Sequence, residues 1–436
     1  MATYANVSNQ VAALKELYVG DSYMKDLVYK KNPLLALIPK DESPQGFAGK
    51  YIPVPTVYGG PVGGRSATFA NAQSNQTAPS LASFFVYRAS NYQLATITNE
   101  LLEATKGDAG AFVDEAKLVV DTAFRIISND LALDLFNGGT KNGARGTYGL
   151  SGGAGSISTG VITLDNASDI VNFEVGMVLV SYSVSGSTPT ISTSSALGYV
   201  ISVNRGAGIV TVSATAGGAA GTPTNWSTTF PYLAVQGDIN FVSSGLATAN
   251  ALKISGLGAW LPSVAPSASE NFWGVDRSVD SRLYGQIFNG ASESIEEALV
   301  DGSSLVAREG GAPDMCFMNF TSYSALEKSL GAKVQYVSVK HDMAEIAFAG
   351  IQINAPYGPI TVIPDRSCQP RTAYLLQMDT WKLRSLGKAP HILTYGMEGL
   401  EALRVSNSDA LEIRIGLYGN LVCSAPGWNC NVALSA

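Results

Sequence analysis

A Pro/Gly-rich extended stretch without helical pattern, Tyr51 to Ser90, lies between an N-terminal arm and an unbroken amphipathic helix, and this order of parts most constrains the fold. Its strand-like halves are Tyr51-Ile52-Pro53-Val54-Pro55 and Ser83-Phe84-Phe85-Val86-Tyr87-Arg88. Between them run Gly59-Gly60-Pro61-Val62-Gly63-Gly64 and a polar tip, Asn71 to Thr77. The pattern predicts two β arms joined by a flexible tip, a long hairpin-like loop. A stretch this long has too little pattern to build a core of its own, and connections beyond about 12–15 residues are uncommon unless they carry function. It is expected to lie on another molecule, as in an assembly subunit.

The helix is the clearest local signal. Phe112, Ala116, Val119, Val120, Ala123, Ile127 and Leu131 recur at three- and four-residue steps. Asp108 is placed to cap the start and Asn137-Gly138-Gly139 to end the run. A helix over 108–136 would be about 40 Å long, a spine for one domain. Glu103, Asp114, Glu115 and Lys117 near its start fit a solvated face. Upstream, Val11, Leu14, Leu17 and Tyr18 suit a short amphipathic helix, which Lys31-Asn32-Pro33-Leu34-Leu35 breaks into an irregular arm. Leu34, Leu35, Leu37 and Ile38 on that arm need a partner surface.

A glycine-rich linker, Asn137 to Gly155, marks a boundary. The Ser/Thr/Gly/Val-rich segment after it, to about Asp238, holds only Asp165, Asp169, Glu174, Arg205 and tyrosines as ionisable groups between Gly146 and Gln236. Evenly spaced runs at 160–164, 177–180, 199–203 and 209–212 predict a small inserted β-barrel or sandwich. Past Ala249 helical patterns appear over Leu283 to Glu309 and Phe320 to Leu330. Strand alternation appears at 351–353, 360–363 and 411–415, and Gly416 to Pro426 is expected as a final strand. The host is therefore α+β.

Composition excludes several chemistries. The chain is 46% hydrophobic but 14% charged, so much of its surface is expected to be covered by other subunits. With a net charge of -7 and no basic cluster beyond Lys30-Lys31, it lacks what grips phosphates tightly. No signal segment and no run near 18 apolar residues is present, so no membrane is expected. Cys316, Cys368, Cys423 and Cys430 show no CxxC spacing, and neither His341 nor His391 stands beside a cysteine. Buried or free thiols are expected, with a Cys423–Cys430 bridge across the turn as the alternative. Glu296-Glu297 and Glu100/Glu103 lack the geometry of a catalytic pair, and no Walker A loop or nucleophile elbow occurs. No catalytic, cofactor-binding or metal-binding residue is assigned.

Several C-terminal runs occur in a specific order: Val275-Asp276-Arg277; Pro313-Asp314-Met315-Cys316-Phe317-Met318-Asn319 before Tyr323-Ser324-Ala325-Leu326; and Val362-Ile363-Pro364-Asp365-Arg366-Ser367-Cys368-Gln369. Ala373-Tyr374-Leu375-Leu376, Thr380-Trp381-Lys382-Leu383 and the closing Leu417 to Cys423 strand with Ala425-Pro426-Gly427 follow. With the arm, loop and helix, these runs resemble the major capsid proteins of tailed double-stranded DNA bacteriophages, which share the Hong Kong 97-type fold.

The resemblance implies an N-arm at 1–45, an E-loop at 46–95, a spine helix of the peripheral domain at 96–145 and an inserted β-domain at 146–245. It further implies a peripheral return at 246–280, an axial domain at 281–360, and peripheral strands with a C-terminal axial segment at 361–436. It implies self-assembly through hexamers and pentamers into an icosahedral virion shell around DNA, in the host bacterial cytoplasm. Portal and decoration proteins would be further partners. No lysine lies between Tyr51 and Thr105, so an isopeptide cross-link from an E-loop amine is not expected. The arm begins at Met1 without a domain-sized scaffolding region, which implies a separate scaffolding protein or none. Leu34, Leu35, Phe84, Phe85 and Tyr87 are the candidate intersubunit anchors. An encapsulin-like compartment and a secreted adhesin or tail-fibre protein are the alternatives.

Overall fold

The computed structural model describes residues 32–42, 49–98, 115–138, 144–150, 155–185, 188–191, 196–238, 252–268, 271–330, 336–341, 344–394, 402–405 and 408–435. The helix expected near Val11, the Lys30-Lys31 pair and the Asp108 cap lie outside them. The chain forms two compact units, one from residues 90–253 and 388–418 and the other from 32–89, 254–387 and 419–436.

In the first unit the long helix runs Glu115–Phe136. Its Ala123 and Ile127 pack on Ala95 and Ile415, with Val119, Phe124, Ile392 and Ile413 around them. The long strand Ala410–Cys423 contributes its first half here, paired antiparallel with His391–Ile392 and Ala402–Arg404. The strands between Ala144 and Val235, the segment expected as an insert, form an eight-stranded antiparallel sheet. Its strands run in the spatial order Ala144–Thr147, Tyr232–Val235, Val178–Ser185, Gly198–Asn204, Ile209–Ser213, Val161–Thr163 and Ser156–Ser158, with Thr188–Ile191 added beside Val178–Ser185. Ile162, Leu164, Phe173, Leu179, Val200, Val210, Val212 and Leu233 close its core with Tyr148 and Trp226.

The first and last strands of the insert pair directly, Thr147 with Tyr232 and Ala144 with Ala234. The two ends of the segment therefore meet. Two of the segment's few charged side chains, Asp165 and Arg205, are spent on backbone. Asp165 accepts from the N–H groups of Gly149, Leu150 and Gly155 at 2.8–3.1 Å, fixing the linker. Arg205 donates to the carbonyls of Ile170 and Phe173.

The second unit holds a seven-stranded mixed sheet, in the order Gln286–Gly290, Cys430–Leu434, Thr372–Leu376, Met315–Met318, Gly358–Pro364, Ala344–Ala355, Tyr336–His341. Two of its pairings are parallel: the first pair, and Met315–Met318 with Gly358–Pro364. Helices Ile295–Arg308 and Phe320–Leu330 join its core through Ala298, Leu299, Val306, Leu326 and Leu330, against Cys316, Ile351, Val362, Leu375 and Val432.

Two expectations are corrected here. The helix expected from Leu283 to Glu309 is a short 3-10 turn, a strand and then a helix starting at Ile295. Gly285 takes φ +84° between turn and strand, where a side chain would be strained. The helix starts only after Ser294, whose hydroxyl accepts from the N–H of Glu297 while the Glu297 carboxylate accepts from the N–H of Ser294. The strand expected as final, Gly416 to Pro426, ends at Cys423 within Ala410–Cys423, and Cys430–Leu434 is the last strand. Buried Asn429 shapes the turn between them. Its Oδ1 accepts from Gln377 N–H and Trp381 Nε1–H, and its Nδ2 donates to the Ala425 carbonyl. All four thiols are buried and unpaired. Burial raises each of their pKa values, that of Cys423 to about 12, so they are apolar packing groups rather than nucleophiles.

Candidate assembly surface

The extended segment is an antiparallel hairpin of Tyr51–Gly59 and Ser80–Tyr87, with Tyr51 opposite Tyr87, Pro53 opposite Phe85 and Val57 opposite Leu81. Strand alternation sorts its side chains by face. Ile52, Val54, Thr56, Phe84 and Val86 point inward and are buried. Tyr51, Val57, Leu81, Phe85 and Tyr87 point outward and are exposed, with Pro53 and Pro55 among them. Residues 51–87 contain one charged side chain, Arg65. The outward face is thus apolar, aromatic and uncharged.

The inner face seats the hairpin on its own unit. Phe84 meets Trp260 edge-on with centroids 5.2 Å apart, and Phe272 also meets Trp260 edge-on at 5.1 Å. Arg277 lies over the Phe272 ring, 4.2 Å from its centroid, and donates Nη1 to the Ala259 carbonyl at 2.7 Å. The guanidinium thus sits over the ring face while its Nη1 is hydrogen-bonded to backbone. Asn420 fixes the returning strand's end by donating to the Tyr87 carbonyl, and Thr56 donates to the Ser424 carbonyl.

Trp273 lies beside the hairpin. It takes φ +51°, and Gly274 φ +84°, in the two-residue turn between Asn271–Phe272 and Val275–Asp276. A left-handed aromatic residue is strained. What holds it is contact: its carbonyl accepts from Phe85 N–H at 2.9 Å and its ring lies 5.5 Å from that of Tyr87. Because Phe85 N–H points away from Pro53, the Phe85–Pro53 pair is a non-hydrogen-bonded one. Pro53 therefore costs the hairpin no internal bond and leaves that strand edge without a donor.

The tip, expected to be flexible, is folded into a 3-10 turn at Val62–Gly64 and a helical turn at Phe69–Ser74. Gly63 N–H donates to Thr77 Oγ1, and a Cβ at Gly63 would sit 2.3 Å from the Asn75 carbonyl. Phe69 and Val62 stand 82% and 71% exposed there.

Of the five anchor candidates, Leu34, Leu35 and Phe84 are 1%, 8% and 0% exposed and pack inside this chain. Phe85 and Tyr87 are 37% and 42% exposed on the outward face. The segment around Leu34 is the helix Pro33–Leu37 followed by Lys40–Asp41, which pairs in parallel with Trp381–Ser385. Buried Asp365 accepts from Leu34 N–H at 3.2 Å and from Ser367 N–H at 2.8 Å, and burial pushes its pKa up to about 6. Sequence reasoning missed Trp260, Phe272, Trp273 and Asn420. Their signal was present only as isolated aromatic and amide residues far along the chain.

Among the described residues, no group of three or more His, Cys, Asp or Glu side chains is placed to hold a metal ion. No helix among them is long and apolar enough to cross a membrane.

The family model of the SU10 major capsid protein matches residues 234–395. The fold matches the cyanophage A-1(L) capsid asymmetric unit with a TM-score of 0.52 at 12% identity, covering 94% of this chain and 96% of that one. Over residues 234–395 the chain is therefore similar to a phage major capsid protein. Its fold is the Hong Kong 97 type, as the cyanophage match shows across nearly the whole length of both chains. Weaker likenesses, at TM-scores of 0.43, are the holo-SrpI encapsulin of Synechococcus elongatus PCC 7942 (8% identity, 98% of this chain and 94% of that one) and the capsid of an empty GTA particle (9%, 95% and 94%). No curated protein matches the chain by sequence.

Proposed function

We propose that the chain is a phage major capsid protein that assembles through hexamers and pentamers into an icosahedral shell around a double-stranded DNA genome, and that the hairpin's outward face covers a neighbouring copy. The observation that carries the contact is the face formed by Tyr51, Val57, Leu81, Phe85 and Tyr87. It is aromatic and uncharged, and its hairpin is held by aromatic packing and backbone bonds on the opposite side. A surface fixed in advance loses little conformational freedom on docking, and rigid aromatic groups are the usual anchors of protein contacts. Such a face left in water would favour unspecific association.

Within this reading the unit carrying the seven-stranded sheet supplies the axial region, with Cys430–Leu434 as the C-terminal segment returning to it. The unit carrying the long helix supplies the peripheral region. The role is structural, DNA is enclosed without sequence readout, and assembly takes place in the host cytoplasm with a separate scaffolding protein or none. Portal and decoration proteins complete the particle.

Negative-stain electron microscopy of the protein expressed alone, then with Phe85→Asp and Tyr87→Asp, tests this. Closed particles from the parent and only capsomers or monomers from folded variants are expected. Variants that close as readily as the parent would remove the hairpin from the contact. A parent that stays monomeric even with added scaffold would overturn the shell.

A further inference from the structure

The unit with the long helix buries five ionisable side chains against one another. Asp130 and Asp134 lie one turn apart on the helix. Arg145 enters with the first strand of the insert, Asp238 follows its last strand, and Lys253 lies on the return. Arg145 Nη2 donates to Asp130 Oδ1. Lys253 Nζ donates to Asp130 Oδ2 at 2.5 Å and stands 3.4 Å from Asp238 Oδ1 and 3.6 Å from Asp134 Oδ2. Asn91 donates Nδ2 to Asp130 Oδ2 at 2.8 Å, and its Oδ1 accepts from Lys253 at 3.2 Å.

Three carboxylates therefore face two cations. A buried charge without a partner is unstable, and a carboxylate in that position takes up a proton instead. Asp130 is hydrogen-bonded by both cations, which hold it ionised. Asp134 is 3% exposed and its Oδ2 accepts no hydrogen bond. The charged groups that act on it are Lys253, Asp130, Asp238 and Arg145. Burial pushes its pKa up to about 8, with Asp130 and Asp238 adding to the rise against the pull of Lys253 and Arg145.

We propose that this cluster is a proton-held latch: with Asp134 protonated it ties both ends of the inserted sheet to the long helix, and alkaline loss of that proton loosens the tie. The residues that flank the insert, Arg145 and Asp238, belong to the latch, and the strands they extend are paired with each other. Ionised Asp134 would sit four positions from ionised Asp130 on one helix face, an arrangement that destabilises helices. It would also leave three anions against two cations around a carboxyl that is itself almost fully buried.

Infrared difference spectroscopy on the full chain from about pH 6 to about pH 10, with Asp134→Asn and Asp238→Asn, tests the latch. The parent is expected to show a protonated-carboxyl stretch that disappears as pH passes about 8 and is missing from Asp134→Asn at every pH. Asp365 and Asp169, raised to about 6 and about 7, give bands that remain in that variant. In Asp238→Asn two carboxylates face two cations, so charge balance predicts a midpoint lower by at least about one pH unit. A band titrating near pH 8 that persists in Asp134→Asn, or a midpoint that Asp238→Asn leaves in place, overturns the proposal. Hydrogen exchange, corrected for intrinsic rates, reads the mechanical consequence: peptides 144–150 and 232–238 should lose protection through the transition in the parent and keep it in Asp134→Asn. Equal loss in both would show that the proton does not hold the stem.

Discussion

Phe84 and Phe85 are sequence neighbours with opposite surroundings, one buried against Trp260 and the other on the outward face. Phe84→Ala is expected to destabilise the protein by about 3–5 kcal/mol in denaturant unfolding, through lost burial and the cavity left behind. Phe85→Ala should cost less than about 1 kcal/mol by the same measurement, while reducing particle yield. Sequence alone placed both residues in the same anchor list, because the β period shows that they face opposite ways without showing which side the chain covers. Asp165 makes a second residue-scale point. In a segment with so few charges it is not an exposed ornament but the acceptor of three backbone N–H groups. Asp165→Ala should lower stability by about 2–3 kcal/mol, since bonds to a charged acceptor are the stronger kind, and should increase proteolysis within the 148–155 linker.

At the scale of elements, local signals were legible where they were chemically sharp. The Phe320–Leu330 helix and the four strand runs of the insert match the expected positions within a few residues. The helix expected from Leu283 failed because hydrophobic periodicity extended across Gly285 and Gly290, while the real start was written in Ser294 and Glu297. Ser294→Ala should cost about 1 kcal/mol, readable as a lower unfolding midpoint. The insert's paired first and last strands lead to a further expectation. Replacing residues 148–231 by a short glycine-rich turn should leave a folded host, because Thr147 and Tyr232 already stand opposite each other. Circular dichroism and thermal unfolding of the deletion variant check this, and a molten host would show that the insert helps hold the long helix.

At the scale of the molecule, the buried carboxylates set a pH dependence whose sign can be worked out. Burial raises Asp134, Asp169 and Asp365 to about 8, about 7 and about 6. A carboxyl whose folded pKa lies above its unfolded value contributes stability that is complete below about pH 4 and is lost as pH rises through the folded value. Asp130, lowered by Arg145 and Lys253 against its own burial, works in the other direction: its contribution is present above about pH 4 and is lost only in strong acid. Calorimetry should therefore find the melting temperature falling between about pH 5 and about pH 9, with the part above pH 7 reduced in Asp134→Asn. A melting temperature that rises over that range would contradict the assignment.

What the sequence determined by itself was the kind of parts and their order: a hairpin too poor in core residues to stand alone, a long helix, a separable β segment and an α+β host. Those follow from side-chain period, turn residues and composition, which are local quantities. What only the tertiary structure decided was which face of each part is covered. Leu34 and Leu35 are enclosed by their own chain, Arg277 spans a ring and a carbonyl, and Asp130, Asp134, Asp238, Arg145 and Lys253 converge from four separate places along the chain. Burial and charge pairing depend on distances between residues up to hundreds of positions apart, and no local pattern encodes those distances.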